Sequence, residues 1–448
     1  MSRENVVCSI FLIVWISVFV SILLILDSFV LLSFIFSILV VLVVWFFSDG
    51  IQSPSMVMSY GYILAFLIPV PFYFWFADDR WYFLEDYEFA KSLFLSSFAF
   101  LGAGIGGLVP IKRLNKRIFE DTPFFIKGWE GKRISVTLLI LAIAFLIPKI
   151  LLNLGQAGSE RFVVNIPFVT GILFYATTYI PSVCMIFLWV DFLRKRNIFS
   201  LILFSICAGA FSFSAIILGW KGAFFSTGVI IGFTFLSTIY FWKQRYAIII
   251  VVGLCFILLG SITTDLALRY RSLNSGGSGD VVYANKYESK IAKKIFRVDG
   301  NGRCATVVSY ASPQSLSLFS PDGIRDEIKH YSGVVDYIDT VIFRIPMWVP
   351  TSVGGSGPGG RYLLGGMVGT FISYFAYGFL LNLLYLLMCS SQGKYGCIAI
   401  YSLMASYLYV WGENFTFPVI LKRLLVIFIS VYFVDVVLGR INQIKKIS

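Results

Sequence analysis

Charge is scarce in this chain. Only 13% of its 448 residues are Asp, Glu, Lys or Arg, and 58% are apolar; a soluble domain carries about 25% charged residues. The apolar residues stand in charge-free runs of about 20, the length that crosses a bilayer's hydrocarbon core. A soluble enzyme, a nucleic-acid-binding domain and a disordered chain are thereby excluded. The alternating apolar and polar residues of a membrane barrel are also missing. The seven cysteines lack the Cys-x-x-Cys spacing of a structural zinc site. Most lie in or beside apolar runs; Cys304 alone falls in a long polar segment, where it has no partner for a disulfide within that segment.

What is present reads as an all-α polytopic membrane protein. About twelve spans are predicted, at 6–26, 29–47, 54–76, 92–109, 134–154, 168–190, 199–218, 223–242, 246–263, 362–388, 396–411 and 420–438. The first run is too long for a signal-peptide core and is followed at once by a second, so it is read as retained. Asp27-Ser28 and Gly219-Trp220-Lys221-Gly222 read as tight turns, and Pro69, Pro71 and Pro148 as kinks or helix ends. Three regions follow: 1–263 with spans one to nine, an external loop at 264–361, and 362–448 with spans ten to twelve and a tail.

The formal net charge of +12 is read as cationic loops that hold topology. With the N-terminus inside, the cytoplasmic segments collect most of the short-loop cations, including Lys112, Arg113, Lys116, Arg117, Arg194, Lys195 and Arg196. The short outside loops hold only Arg80, Lys91, Arg161 and Lys221. Both termini are therefore expected in the cytoplasm.

The loop at 264–361 carries helical patterning. Ile324, Ile328, Tyr331, Val335, Ile338, Ile342 and Ile345 recur at spacings of four and three, an apolar stripe on one helix face that starts after Ser320-Pro321. Tyr287, Ile291 and Ile295 suggest a shorter amphipathic helix on the outer leaflet. Gly-rich stretches at 275–279 and 354–360 would let the loop move as a lid, or serve as plain linkers.

Cations recur at the outer ends of spans, against the positive-inside bias: Lys149, Arg161, Lys221, Arg269, Arg271, Arg344, Arg361, Lys422 and Arg423. Any one could be a snorkelling side chain. Together they suit a bulky anion at headgroup depth, because arginine grips phosphate through paired donors and lysine adds a point charge. A lipid diphosphate meets that description, and fixed positive charge would stabilise it as a leaving group. His330, the only histidine, is placed to act as general base on a sugar hydroxyl. Glu413 is the alternative base. The acidic cluster Asp78, Asp79, Glu85, Asp86 and Glu88 reads as a solvated loop, so no metal and no cofactor is expected.

These features together resemble a family. The span number, the large late external loop rich in Arg and Gly, the Gly219–Gly222 turn and the Gly-rich stretch from Pro350 through Tyr377 look like bacterial O-antigen polymerases of the Wzy type. The resemblance implies a C-class membrane glycosyltransferase in the inner membrane, its active site facing the periplasm. Donor and acceptor would be undecaprenyl-diphosphate-linked oligosaccharides, with a chain-length regulator and a flippase as possible partners and no nucleic acid. It assigns His330 and Glu413 to catalysis, and Lys221, Arg269 and Arg271, then Arg161, Arg344, Arg361 and Arg423, to the diphosphate. A cytoplasmic domain with a GxGxxG or DxD motif is missing, as a lipid-linked donor requires. An O-antigen ligase or a lipid-linked oligosaccharide flippase are the other readings; no internal repeat supports the latter.

Overall fold

The computed structural model describes residues 28–67, 86–109, 132–154, 167–218, 223–242, 299–344, 357–411 and 417–447, gaps of one or two residues aside, with Val70 and Trp129. The described residues contain no strand. Helices α1 (Ser28–Phe47), α2 (Pro54–Tyr62, continued by a π-turn at Ile63–Leu67) and α3 (Asp86–Leu108) come first. Next are α4 (Lys132–Leu151), α5 (Pro167–Lys195), α6 (Ile198–Ile217) and α7 (Ala223–Ile239). The segment between α7 and α11 holds α8 (Asp299–Ala311), α9 (Ile324–Ile328) and α10 (Val334–Tyr337, continued by a π-turn at Ile338–Ile342). Last are α11 (Gly357–Ser390), α12 (Tyr395–Trp411) and α13 (Phe417–Ile447).

Among the described residues, six helices are long and apolar enough to cross a membrane: Phe29–Phe47, Tyr87–Leu108, Lys132–Leu151, Ile172–Lys195, Gly357–Ser390 and Ile420–Ile441. They coincide with six of the expected spans, and the chain is a helical membrane protein. Ile198–Ser214 and Thr227–Ile239 are apolar but shorter. The expected spans 6–26 and 246–263, and the amphipathic stretch around Ile291, lie outside the described residues.

The helices form two compact units. In the first, α1, α2 and α8 pack on α3, and α11 joins them as far as Leu383. Lipid supplies no hydrophobic drive between helices, so close packing must hold them. Glycines provide it: a Cβ at Gly378 would stand 2.0 Å from the Ala103 carbonyl oxygen, and one at Gly106 2.2 Å from that of Phe375. Buried hydroxyls add rungs, Ser37 to Ser97 at 2.5 Å and Tyr62 to Ser97 at 2.8 Å.

The second unit gathers α4 to α7, α11 from Leu384, α12 to Ser406, and α13. Asn197 caps α6 by accepting the Phe199 N–H at 3.0 Å. Pro148 was expected to kink or end its helix; α4 runs through it and stops three residues later at Leu151. The buried Asp191 carboxylate is the electrostatic centre of this unit. It pairs with Lys195 at 2.7 Å and accepts from the Ser200 hydroxyl at 2.7 Å and from Tyr395 at 3.3 Å. Removing Asp191 leaves the buried Ser200 and Tyr395 hydroxyls without this acceptor, while Lys195 is partly exposed and also donates to the Trp129 carbonyl. Asp191→Ala is expected to destabilise the protein by about 1–3 kcal/mol, read as a lower melting temperature of the detergent-solubilised protein.

The external stripe forms a core but not one helix. Ile324, Ile328, Tyr337, Ile338, Val307 and Leu363 make a buried cluster, with Tyr331, Val334, Ile342 and Phe343 packed on it. α9 ends at Ile328, and the chain turns through Lys329–Tyr331 before α10. Folding the stripe back lets both halves reach Val307 and Leu363, which a straight helix could not. The helix also starts later than Ser320-Pro321 suggested. Gly323, at φ +79°, precedes Ile324, and the Ser320 hydroxyl instead donates to the Leu363 carbonyl at 2.9 Å.

Candidate functional site

α11 is two helices. Gly366 (φ +62°, ψ −155°) interrupts it, so a short helix up to Gly365 meets a long one from Met367. Unbroken, its 34 residues would extend roughly 51 Å at 1.5 Å per residue, well beyond the ~30 Å hydrocarbon core. The break is also visible in Arg361. Its guanidinium lies 5.9 Å from the ring centre of Tyr377, sixteen residues on, which a straight helix would place about 24 Å away.

Residues 312–325 satisfy both broken ends. The freed N–H groups of Met367 and Val368 donate to the Ser317 and Leu318 carbonyls at 3.1 and 3.0 Å. The carbonyls of Leu363 and Leu364 accept from the Ser320 hydroxyl and from Arg325 Nε, the latter at 2.7 Å. Unpaired backbone groups at this depth would cost several kcal/mol. Tyr362 ties the same segment inward: its hydroxyl accepts the Ser317 N–H at 2.6 Å and donates to Ser312 Oγ at 2.8 Å. The buried Lys91 ammonium donates to the Ser312 carbonyl at 2.9 Å, and Tyr87 to that of Gln314 at 2.7 Å.

The hinge therefore differs from the one expected. Gly357–Gly360, read as linker or lid, form the first turn of α11 and are largely buried. Lys91, counted with the outside loops, lies within α3. Cys304 is buried against Leu95, Val308 and Tyr362.

Of the expected site residues, Lys221, Arg269, Arg271, Arg161 and Glu413 lie outside the described residues. His330, Arg344 and Arg361 all border the external core, next to or two residues from its members Tyr331, Phe343 and Leu363. His330 is exposed at the turn after α9. Arg344 is exposed with a left-handed backbone, φ +52°. Arg361 is buried, and its Nε has no hydrogen-bond partner among the described residues. Nearby, the buried Tyr337 hydroxyl donates to Glu327 at 2.6 Å. Burial raises its pKa above the ordinary tyrosine value, and the carboxylate beside it pushes the same way.

In the second unit, three cations converge where α4 ends and α5 and α13 begin. Lys149, in the last turn of α4, is 7% exposed and donates to Thr178 Oγ1 at 3.2 Å. Its ammonium also lies 5.6 Å from the ring centre of Phe211. Lys422 sits 5.1 Å from the ring centre of Tyr175, and Arg423 Nη1 donates to the Tyr179 hydroxyl at 3.3 Å. Tyr175, Thr178 and Tyr179 stand at i, i+3 and i+4 on α5, one helix face. Their spacing is readable in the sequence, but only the contact with Lys149 and α13 gives it meaning.

No family model, curated protein or solved structure matches the chain.

The electrostatics of this cluster are one-sided. Among the described residues, neither Lys149 nor Lys422 has a carboxylate partner. Lys422 is exposed, whereas Lys149 is buried, and burying an ammonium costs several kcal/mol. One hydroxyl bond returns about 1.5–3 kcal/mol and a ring face about 0.5–2. The cluster thus gains most from an anion with several oxygens. Among the described residues, no group of three His, Cys, Asp or Glu side chains could hold a metal.

Proposed function

We propose that the chain polymerises undecaprenyl-diphosphate-linked oligosaccharide repeat units into O-antigen polysaccharide at the periplasmic face of the bacterial inner membrane. The observation that carries this reading is the convergence of Lys149 and Lys422, which have only neutral partners among the described residues, on the face of α5 that Arg423 also contacts. A diphosphate headgroup supplies the missing negative charge at that depth.

In the reaction, a hydroxyl of the acceptor unit attacks the donor's anomeric carbon. The bond between that carbon and the diphosphate oxygen breaks, and the growing glycan passes to the acceptor. Undecaprenyl diphosphate leaves with the electron pair, and the cations stabilise its charge. By their places in the sequence, Lys221, Arg269 and Arg271, then Arg161, Arg344 and Arg361, are proposed as further diphosphate ligands. The hydroxyl proton passes to His330, exposed and so open to substrate, with Glu413 as the alternative base.

Gene deletion with a surface-glycan length profile tests the reading. A core bearing one repeat unit is the expected result, because flipping and ligation continue while growth stops. Bare core would overturn it, and would point to a ligase or flippase according to the leaflet in which the lipid-linked unit is stranded.

A further inference from the structure

A cleft of about 540 Å³ opens beside the break in α11, lined by Phe319, Ser320, Pro321, Gly323, Arg325, Asp326, Lys329 and Gly365. That volume is within the range of about 300–1,000 Å³ for small-ligand sites. Its chemistry is mixed. Phe319 is 71% exposed although its backbone is held against Gly366. Arg325, an exposed side chain in the lining, uses Nε on the Leu364 carbonyl, which fixes its guanidinium plane. Asp326 and Lys329 form an exposed pair at 2.6 Å. The bond to Lys329 and its charge hold the Asp326 carboxyl below the ordinary value, so it remains an acceptor at neutral pH.

Gly365 forms part of the wall. A Cβ there would meet nothing within 4 Å, and its backbone is not left-handed. Neither packing nor conformation calls for glycine at this position. What its bareness preserves is the space of the cleft.

We infer that this cleft holds one sugar unit of the glycan, with the pyranose CH face on Phe319 and its hydroxyls on Arg325, Asp326 and Lys329. An aromatic face, a planar donor, a carboxylate and an ammonium together match a ring with one apolar face and a rim of donors and acceptors. The identity of the ligand rests on the polymerase reading; the position of the site rests on the cleft.

The test uses the full-length protein in detergent on an array of bacterial oligosaccharides, with the best-bound saccharide then titrated by saturation-transfer NMR. Wild type and Gly365→Ala are expected to bind alike. Gly365→Phe, which fills the cleft without touching the core, should weaken binding at least 10-fold, and Phe319→Ala should weaken it as well. An unchanged elution profile and unchanged farnesyl diphosphate binding show that these variants fold. Equal binding by Gly365→Phe and wild type, or no saccharide bound by wild type, would overturn the inference. Saccharide binding that depends on Gly365, in protein that binds no farnesyl diphosphate, would keep the cleft and remove the polymerase reading.

Discussion

Gly366→Ala is expected to abolish accumulation of folded protein. The new Cβ would stand 2.2 Å from the Phe319 carbonyl oxygen and 2.7 Å from the Leu318 carbonyl carbon, both backbone atoms that are themselves hydrogen-bonded or adjacent to bonded groups. The conformation at Gly366 (φ +62°, ψ −155°) is one that only glycine adopts freely. Strain costs about 1–3 kcal/mol and the overlap about as much again, a large share of a typical stability of about 5–15 kcal/mol. The damage also spreads, because opening the clamp leaves the N–H groups of Met367 and Val368 without partners in an apolar setting. Fluorescence-detected size exclusion in detergent reads the outcome. Gly365→Ala, one residue away with no atom to meet, should elute and melt like wild type. Wild-type behaviour of Gly366→Ala would mean that α11 is not broken there.

The second large effect separates function from stability. Lys149→Met keeps the side chain's length and volume and removes its charge. If Lys149 were a structural strut, the change would lower the melting temperature. A buried cation held, among the described residues, by a threonine hydroxyl and an aromatic ring has little to lose, and apolar replacement of buried charge is often neutral or stabilising. The melting temperature should therefore hold or rise. Binding of farnesyl diphosphate should fall at least about 10-fold, the worth of one charge-assisted hydrogen bond, and chain growth should fall with it. Phosphatidylglycerol vesicles provide the comparison. Competition by these vesicles as strong as that by farnesyl diphosphate would make the cluster a general phospholipid site. Tight binding by Lys149→Met would remove Lys149 from the site.

The helices at Phe29–Phe47, Lys132–Leu151 and Ile420–Ile441 were legible because an apolar run of that length with so few charges has one stable form in a bilayer. The external stripe was legible as a core but not as a shape. Periodicity says which residues share a face; it does not say that the chain turns after Ile328 to bring two short faces to one partner. Lys149 stood out in the sequence as a misplaced cation, yet Thr178, Tyr175 and Tyr179 did not, since an aromatic or hydroxyl residue in a span is ordinary until something faces it. The break in α11 was not expected from the sequence, where the glycine-rich stretch before it reads as a linker or as freedom for a lid. Glycine count marks freedom, whereas the decisive glycine is the one against which another backbone is pressed, and that contact is 47 residues removed in the chain, Phe319 against Gly366.

The clamp has a consequence for the order of assembly. Its bonds join residues 39 to 50 apart, from Arg325 to Leu364 and from Ser317 to Met367. The bonds that fasten the same segment to α3 join residues 221 and 227 apart, Lys91 to Ser312 and Tyr87 to Gln314. Loop closure over the shorter distance has the lower entropy cost and can occur as soon as the second half of α11 leaves the ribosome. The segment thus becomes a small prefabricated piece, joined to its own transmembrane helix before it is seated on the one made first.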